Sequence, residues 1–303
     1  MGKNIKVVTL IGTGTMGPRI AARAAVHGQI VRMYDISAEA LDAAKESTKS
    51  FIDSFSEEGY EKEDTATIFE RVSFYTDLAE ALQGVDLIVE AVPENLELKK
   101  KVFAEFDKLA DKDTIIATNS SSIPISRIEG AVERKNKVLN LHFYTTPFGV
   151  YAFADIMRGT QTDDETFEAG RDWLEDIGCI PLEVKKECMG FVFNRVWRAI
   201  KKDTLKIWGG GYADFQDVDR AWMLFSGMPV GPFGAMDMVG LDVVYDIEMS
   251  YYSESQNPDD IPPDALKEKI AKGELGMKTG KGFYDWSDPE CFKPDFTKPK
   301  KKK

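Results

Sequence analysis

Ile5-Lys-Val-Val-Thr-Leu-Ile11, Gly12-Thr-Gly-Thr-Met-Gly17 and Ile30-Val-Arg-Met-Tyr-Asp35 decide the fold of this chain. An apolar strand runs straight into a glycine turn. An Ala-rich helical run follows (Ile20, Ala21, Ala24, Ala25) and closes at Gly28, and a second strand ends in an acid. Each part suits the holding of a dinucleotide. Gly12 permits the tight turn, Gly14 lets the backbone approach a pyrophosphate, and Gly17 lets the helix pack closely on the strand. The helix start, with Thr15 and Met16 in the turn before it, offers unpaired N–H groups and a positive dipole end to phosphates. Asp35 can accept hydrogen bonds from ribose hydroxyls and would repel a 2′-phosphate, for which Ile36 and Ser37 supply no basic partner. NAD is therefore preferred to NADP. FAD-binding folds share the fingerprint and are the main competitor.

Working outward, 303 residues, 43% of them hydrophobic, suffice for one large or two ordinary domains with real cores. The net charge of −12 argues against a general nucleic-acid binder, which needs a basic face. Cys179, Cys188 and Cys291 are scattered, odd in number and not in metal-ligand spacing, so no metal site and no disulfide framework is expected. No stretch approaches the ~20 apolar residues of a membrane span. The first strand begins almost at once, leaving no room for a signal peptide. The expectation is a cytoplasmic protein with no membrane partner.

Strands and helices alternate through about residue 185. Helical spacing from Ser37 to Phe55 is followed by an acidic segment and then by strands at Val72–Tyr75, Val85–Glu90, Thr114–Asn119, Lys137–His142, Phe153–Met157 and Ile180–Val184. Such alternation calls for a mainly parallel, doubly wound α/β sheet covered on both faces. Beyond Lys185 the pattern turns helical, with a long helix expected over Phe191–Trp208 and others over Asp217–Leu224 and Leu241–Tyr252. The boundary is placed at 187/188, giving a Rossmann-type domain over 1–187 and an all-α domain over 188–303.

Ligands of open parallel sheets bind beyond the carboxyl ends of the strands. Those ends carry Gly12–Gly17, Asp35, Glu90–Asn95, Asn119–Ser122 and His142. His142 is the residue there whose chemistry suits proton transfer near neutrality. An imidazole base needs an orienting acid, and Asp155 on the next strand is the nearest candidate. A buried histidine satisfied by backbone is an equally open reading of His142 from spacing alone. The other histidine, His27, reads as a helix C-cap before Gly28.

Seven motifs then occur in order. They are Gly12-x-Gly-x-Met-Gly17, Glu90-Ala-Val-Pro-Glu94-Asn-Leu, Asn119-Ser-Ser-Ser122, Leu141-His-Phe-Tyr144, Gly190-Phe-Val-Phe-Asn-Arg195, Met228-Pro-Val-Gly-Pro-Phe233 and Gly273-Glu-Leu-Gly-Met-Lys-Thr-Gly-Lys-Gly-Phe-Tyr284. Together they resemble the L-3-hydroxyacyl-CoA dehydrogenase family over nearly the whole chain. The resemblance implies that His142 is the general base, paired with Asp155, and that Ser121 and Asn194 contact the substrate's oxygens. It implies that Glu94 and Lys99 line the nicotinamide and its ribose, beside Asn119. It also implies NAD as cofactor and a homodimer built on the helical domain.

Three departures from the family pattern bear on the chemistry. The acid is Asp155 where the family has Glu, one methylene longer. After the histidine the family reads Phe-Phe-Asn-Pro, whereas this chain reads Phe143-Tyr144-Thr-Thr-Pro147, one residue longer, with Tyr151 in the same segment. From Pro147 to Asp155 the spacing matches the family, so the turn is the expected place of the extra residue; inside a strand it would turn Asp155 to the opposite face. Segment 53–64 is largely acidic where the family places basic residues for the CoA phosphates, leaving Lys45 and Lys49 as the available partners. The leading expectation is an NAD-dependent dehydrogenase of a short-chain 3-hydroxyacyl-CoA. The competing enzyme reading is a relative acting on a free hydroxy acid or other alcohol, and a third reading is a non-catalytic NAD-binding protein.

Overall fold

A computed structural model describes residues 4–57, 63–144 and 152–299. The chain divides into two compact units, Met1–Val192 and Phe193–Lys303. The first contains, in order, β1 (Val7–Ile11), α1 (Gly17–Val26), β2 (Ile30–Tyr34), α2 (Ala38–Glu57), α3 (Thr65–Phe69), β3 (Val72–Tyr75) and α4 (Leu78–Leu82). It continues with β4 (Leu87–Glu90), α5 (Leu96–Leu109), β5 (Ile115–Thr118), β6 (Val138–Phe143), β7 (Ala152–Arg158), α6 (Asp164–Asp176) and β8 (Cys179–Val184).

The eight strands form one sheet in the order β3-β2-β1-β4-β5-β6-β7-β8. Every pairing is parallel except that of β6 with β7. The winding reverses between β1 and β4, which opens a crevice at the strands' carboxyl ends. Strand periodicity explains the two cores. Val8, Leu10, Leu87, Val89, Ile115 and Ala117 pack under α1, α2 and α6 with Ile20, Ala24, Ile52 and Trp173. Ile11, Ile88 and Ile116 face the other way, onto Leu82, Phe103 and Phe106 of α4 and α5. A sheet buried on both faces needs such continuous apolar runs. Each fully buried side chain of this size contributes about 1.5–3 kcal/mol. Pro181 sits in β8, an edge strand, where a missing N–H costs no ladder bond.

The second unit carries α7 (Phe193–Gly209), α8 (Phe215–Ser226), α9 (Pro232–Val239), α10 (Leu241–Ser255) and α11 (Asp264–Ala271). Its core gathers Leu205, Phe233, Met236, Leu241, Val244, Leu266, Phe283 and Tyr284. Two buried carboxylates organise it. Asp219 accepts from Phe233 N at 2.8 Å, Gly234 N at 3.0 Å and the Tyr284 hydroxyl at 2.9 Å. Asp237 accepts from Phe283 N at 2.9 Å, Tyr284 N at 2.8 Å and Trp286 Nε1 at 3.0 Å. These bonds account for two of the seven motifs: a Cβ on Gly231 would collide with Asp219, and one on Gly276 or Gly282 would collide with Asp237.

The long helix begins at Phe193, two residues later than its periodicity predicts. Gly190 (φ 79°) and Phe191 (φ 50°) are left-handed and cannot join a right-handed helix. Phe191 is instead buried against Met157 and Val184, and the first compact unit runs to Val192.

Candidate active site

The glycine turn has the shape its spacing predicts. Gly12 is left-handed (φ 97°), and a Cβ there would stand 2.7 Å from the Ala91 carbonyl oxygen. A Cβ on Gly17 would overlap the Gly12 carbonyl, so the helix could not start where it does. At Gly14 a Cβ would meet nothing within 4 Å. Gly12 and Gly17 are thus required by the fold, whereas Gly14 borders open space at the start of α1, as a phosphate cradle requires. Thr15 and Met16 complete the turn, and the N-cap Met16 makes no side-chain capping bond, leaving the helix-end N–H groups free of such a partner.

Asp35 closes this loop. Its Oδ2 accepts from Thr13 N at 3.0 Å and Thr13 Oγ1 at 2.8 Å, and its Oδ1 from Ser37 N at 3.1 Å. The carboxylate is partly exposed, anchored yet reachable. His27 is the C-cap of α1, with Nδ1 2.8 Å from the Arg23 carbonyl, and burial lowers its pKa.

A buried polar network follows at the ends of β4 and β5. Glu90 and Lys99 are 0% and 1% exposed and pair at 2.7 Å. Glu90 Oε2 also accepts from Thr118 Oγ1 at 2.7 Å. Lys99 Nζ reaches Glu94 at 3.3 Å, so one cation bridges two carboxylates. Glu94 Oε1 accepts from the Ser120 hydroxyl, Ser122 N at 2.9 Å and Ser122 Oγ at 2.8 Å. Burial alone would raise the Glu94 pKa, but Ser120, the Lys99 charge and Ser122 outweigh it and lower it. Asn119 joins this network to the next strand, its N donating to Glu90 O and its Oδ1 accepting from Phe143 N, both at 2.8 Å.

Beside it stands His142, 5% exposed. In the antiparallel register of β6 and β7 it lies directly opposite Asp155, and its Nδ1 is 3.3 Å from Asp155 Oδ2. Directly opposite residues share a face, so the extra residue after the histidine has not slipped the strand. The turn 145–147 and Tyr151 lie outside the described residues, as does 58–62 of the acidic segment. A carboxylate only accepts, so Nδ1 carries the proton and Nε2 keeps its lone pair. Among the described residues Nε2 has no hydrogen-bond partner. The ring is packed by Tyr144 (centroids 4.4 Å apart, edge-on) and Phe191 (5.2 Å).

Thus the structure brings Gly12, Gly14, Thr15, Met16, Gly17 and Asp35 into one loop, Glu94, Lys99 and Asn119 into one network, and His142 and Asp155 into one dyad. Ser121 is exposed and has no side-chain hydrogen bond among the described residues; Ser120 and Ser122, not Ser121, hold Glu94. Asn194 belongs to the second unit, in the first turn of α7. Sequence reasoning missed Tyr144, whose hydroxyl donates to Asp155 Oδ2, although its place two residues after His142, next to the strand's end, was a usable signal.

Residues 7–188 match the 3-hydroxyacyl-CoA dehydrogenase NAD-binding domain, and residues 190–286 match the C-terminal domain of the same enzymes. The chain belongs to the 3-hydroxyacyl-CoA dehydrogenase family. It is an NAD-dependent oxidoreductase of that family. Its relatives fall on both sides of one question of substrate. Human mitochondrial hydroxyacyl-coenzyme A dehydrogenase is 31% identical over 93% of this chain and 91% of its own. The 5-formyl-3-hydroxy-2-methylpyridine 4-carboxylate 5-dehydrogenase of Mesorhizobium japonicum is 31% identical over 97% and 93%. Among solved structures, a diketoreductase described as acting on dicarbonyl compounds is 35% identical, covers 93% of this chain and 99% of its own, and has a TM-score of 0.84. NAD fits the residues present, because the glycine turn leaves open space at Gly14 and the acid at position 35 is anchored at its rim.

Proposed function

We propose that the chain interconverts a short-chain 3-hydroxyacyl-CoA and the corresponding 3-oxoacyl-CoA, with His142 as general base. The observation that supports this most is the buried His142–Asp155 dyad, whose Nε2 has no hydrogen-bond partner among the described residues. When bound, NAD supplies the redox chemistry by accepting or returning the hydride. The chain's own groups do the rest. Asp155 keeps the proton on Nδ1, so Nε2 is free to take the 3-hydroxyl proton, and the carboxylate stabilises the imidazolium that forms. Ser121 and Asn194 orient the substrate's oxygens. Glu94, held in place by Lys99 and the serine loop, lines the nicotinamide and its ribose. The first unit is read as the NAD-binding domain and the second as the substrate and dimerisation domain.

A second reading, the same chemistry on a free hydroxy acid or another alcohol, is favoured by the charge of α2. That helix carries Glu39, Asp42, Glu46 and Asp53 against Lys45 and Lys49, and Lys45 is already paired with Asp42 at 2.7 Å. NADH oxidation followed with acetoacetyl-CoA and, in parallel, free acetoacetate tests the two. Turnover of the thioester alone supports the first reading, and turnover of the free acid alone replaces it with the second.

A homodimer is proposed on exposed apolar side chains of the second unit, such as Phe225 (93%), Leu224 (66%) and Val196 (57%). A monomer by sedimentation at micromolar concentration would refute it. A cytoplasmic location is in keeping with three unpaired cysteines.

A further inference from the structure

Asp155 is 0% exposed, and among the described residues its side-chain hydrogen bonds run through one oxygen. Oδ2 faces His142 Nδ1 at 3.3 Å and also accepts the Tyr144 hydroxyl. Oδ1 is buried with no hydrogen-bond partner among the described residues. A charge-assisted N–H···O⁻ bond is ordinarily about 2.7–2.9 Å long. At 3.3 Å, the imidazole alone is a weak tether for a buried carboxylate. Tyr144 supplies the second anchor. It lies one residue beyond the last paired position, Phe143 with Ala154, its ring is 4.8 Å from that of Phe153, and its hydroxyl reaches Asp155.

We propose that Tyr144 is the positioning residue of this dyad. Its hydroxyl pins the Asp155 carboxylate in the orientation that meets His142 and takes a share of its negative charge. On this account the Tyr144 hydroxyl compensates for one departure from the family pattern, Asp155 in place of Glu. The shorter acid loses reach, and a hydroxyl from the neighbouring strand restores its hold. The groups that face the dyad are Tyr144 from the end of β6, Leu182 of β8 in register with Asp155, and Phe191; Cys188 lies behind Phe191, its Sγ 3.6 Å from that residue's carbonyl. Among these, only Tyr144 donates to the carboxylate besides His142.

The catalytic part of this inference rests on the proposed function, so the experiment has an arm that does not. The chain holds two histidines, and His27→Gln assigns the ring signals of His142 in an NMR titration of the full-length protein. Tyr144→Phe removes one oxygen atom, keeps the ring packing, and leaves the carboxylate charge to the imidazole alone. The His142 midpoint is expected to rise by about half a pH unit. The acid limb of the kcat/KM profile should move with it, and kcat should fall about tenfold with NADH affinity unchanged. Asp155→Glu alone should also cost about tenfold, because the longer arm meets the Tyr144 hydroxyl. The double variant should return to within about threefold of the parent. An unmoved His142 midpoint in Tyr144→Phe overturns the proposal, as does a double variant whose loss equals the product of the two single losses. Failure of the proposed function would remove the rate data and leave the NMR titration to decide alone.

Discussion

Asp155 and Asp237 are both fully buried aspartates, yet they serve different ends. Asp237 uses both oxygens to accept from three donors of one loop, and each of those donors is thereby satisfied. Among the described residues Asp155 leaves Oδ1 without a partner and shares Oδ2 between an imidazole and a phenol. A saturated carboxylate locks a fold. An incompletely satisfied one costs stability and is kept where orientation matters to chemistry. The two acids look alike in sequence, and hydrogen-bond satisfaction separates them.

The comparison breaks most directly at His142. Replacing it with Ala should lower kcat by about 10²–10⁴-fold, with a modest change in melting temperature, in an assay following NADH absorbance. Asp237→Ala should behave in the opposite way. It strands two buried backbone donors and the half-buried Trp286 indole N–H, and should destabilise the protein by about 3–5 kcal/mol in urea unfolding. A stable Asp237→Ala, or an active His142→Ala, would erase the difference between the two acids.

Lys99 tests the same idea in the first unit. Lys99→Met leaves Glu90, 0% exposed, without its cation, and should cost about 3–5 kcal/mol in chemical denaturation. A smaller expected effect separates shape from stability within the glycine turn. Gly14→Ala adds a methyl that meets no protein atom within 4 Å. Stability should therefore hold within about 0.5 kcal/mol while the Kd for NADH rises about tenfold by fluorescence titration. Gly17→Ala should lose folding as well.

The smallest effect is a pH dependence in the second unit. Burial raises the Asp219 pKa to about 6, against the bonds from Phe233, Gly234 and Tyr284 that pull it down. A carboxylate with a raised folded-state pKa binds a proton in the folded chain that the unfolded chain has released. Stability should then increase as pH falls from about 7.5 through 6 toward 4.5, by on the order of 1 kcal/mol. Asp219→Asn should flatten that slope in thermal melts taken across the range.

Much of the site was legible from local pattern. Gly12 and Gly17 read correctly as a turn and a packing contact because a left-handed φ and a missing Cβ are properties of one residue and its immediate chain. Asp35 was placed at the end of the second strand from pattern alone, and it stands there, just after Tyr34 and tied to Thr13 and Ser37. The start of α7 was misplaced because helical periodicity does not register that Phe191 turns back to pack on Met157, Val184 and His142. Ser120 and Ser122, rather than Ser121, grip Glu94 because their hydroxyls face a helix start 26 and 28 residues upstream.

The sequence by itself determined the fold class, the winding of the first unit and the identity of the cofactor. These follow from period-two and period-3.6 burial, from glycine stereochemistry and from the charge at the end of one strand. Only the tertiary structure decided that Asp155 reaches His142, that Tyr144 holds the same oxygen, and that one lysine serves both Glu90 and Glu94. Register across an antiparallel pair is set by the packing of the whole sheet. His142 and Asp155 stand 13 positions apart in the chain, and no local pattern between them measures the distance across the strands.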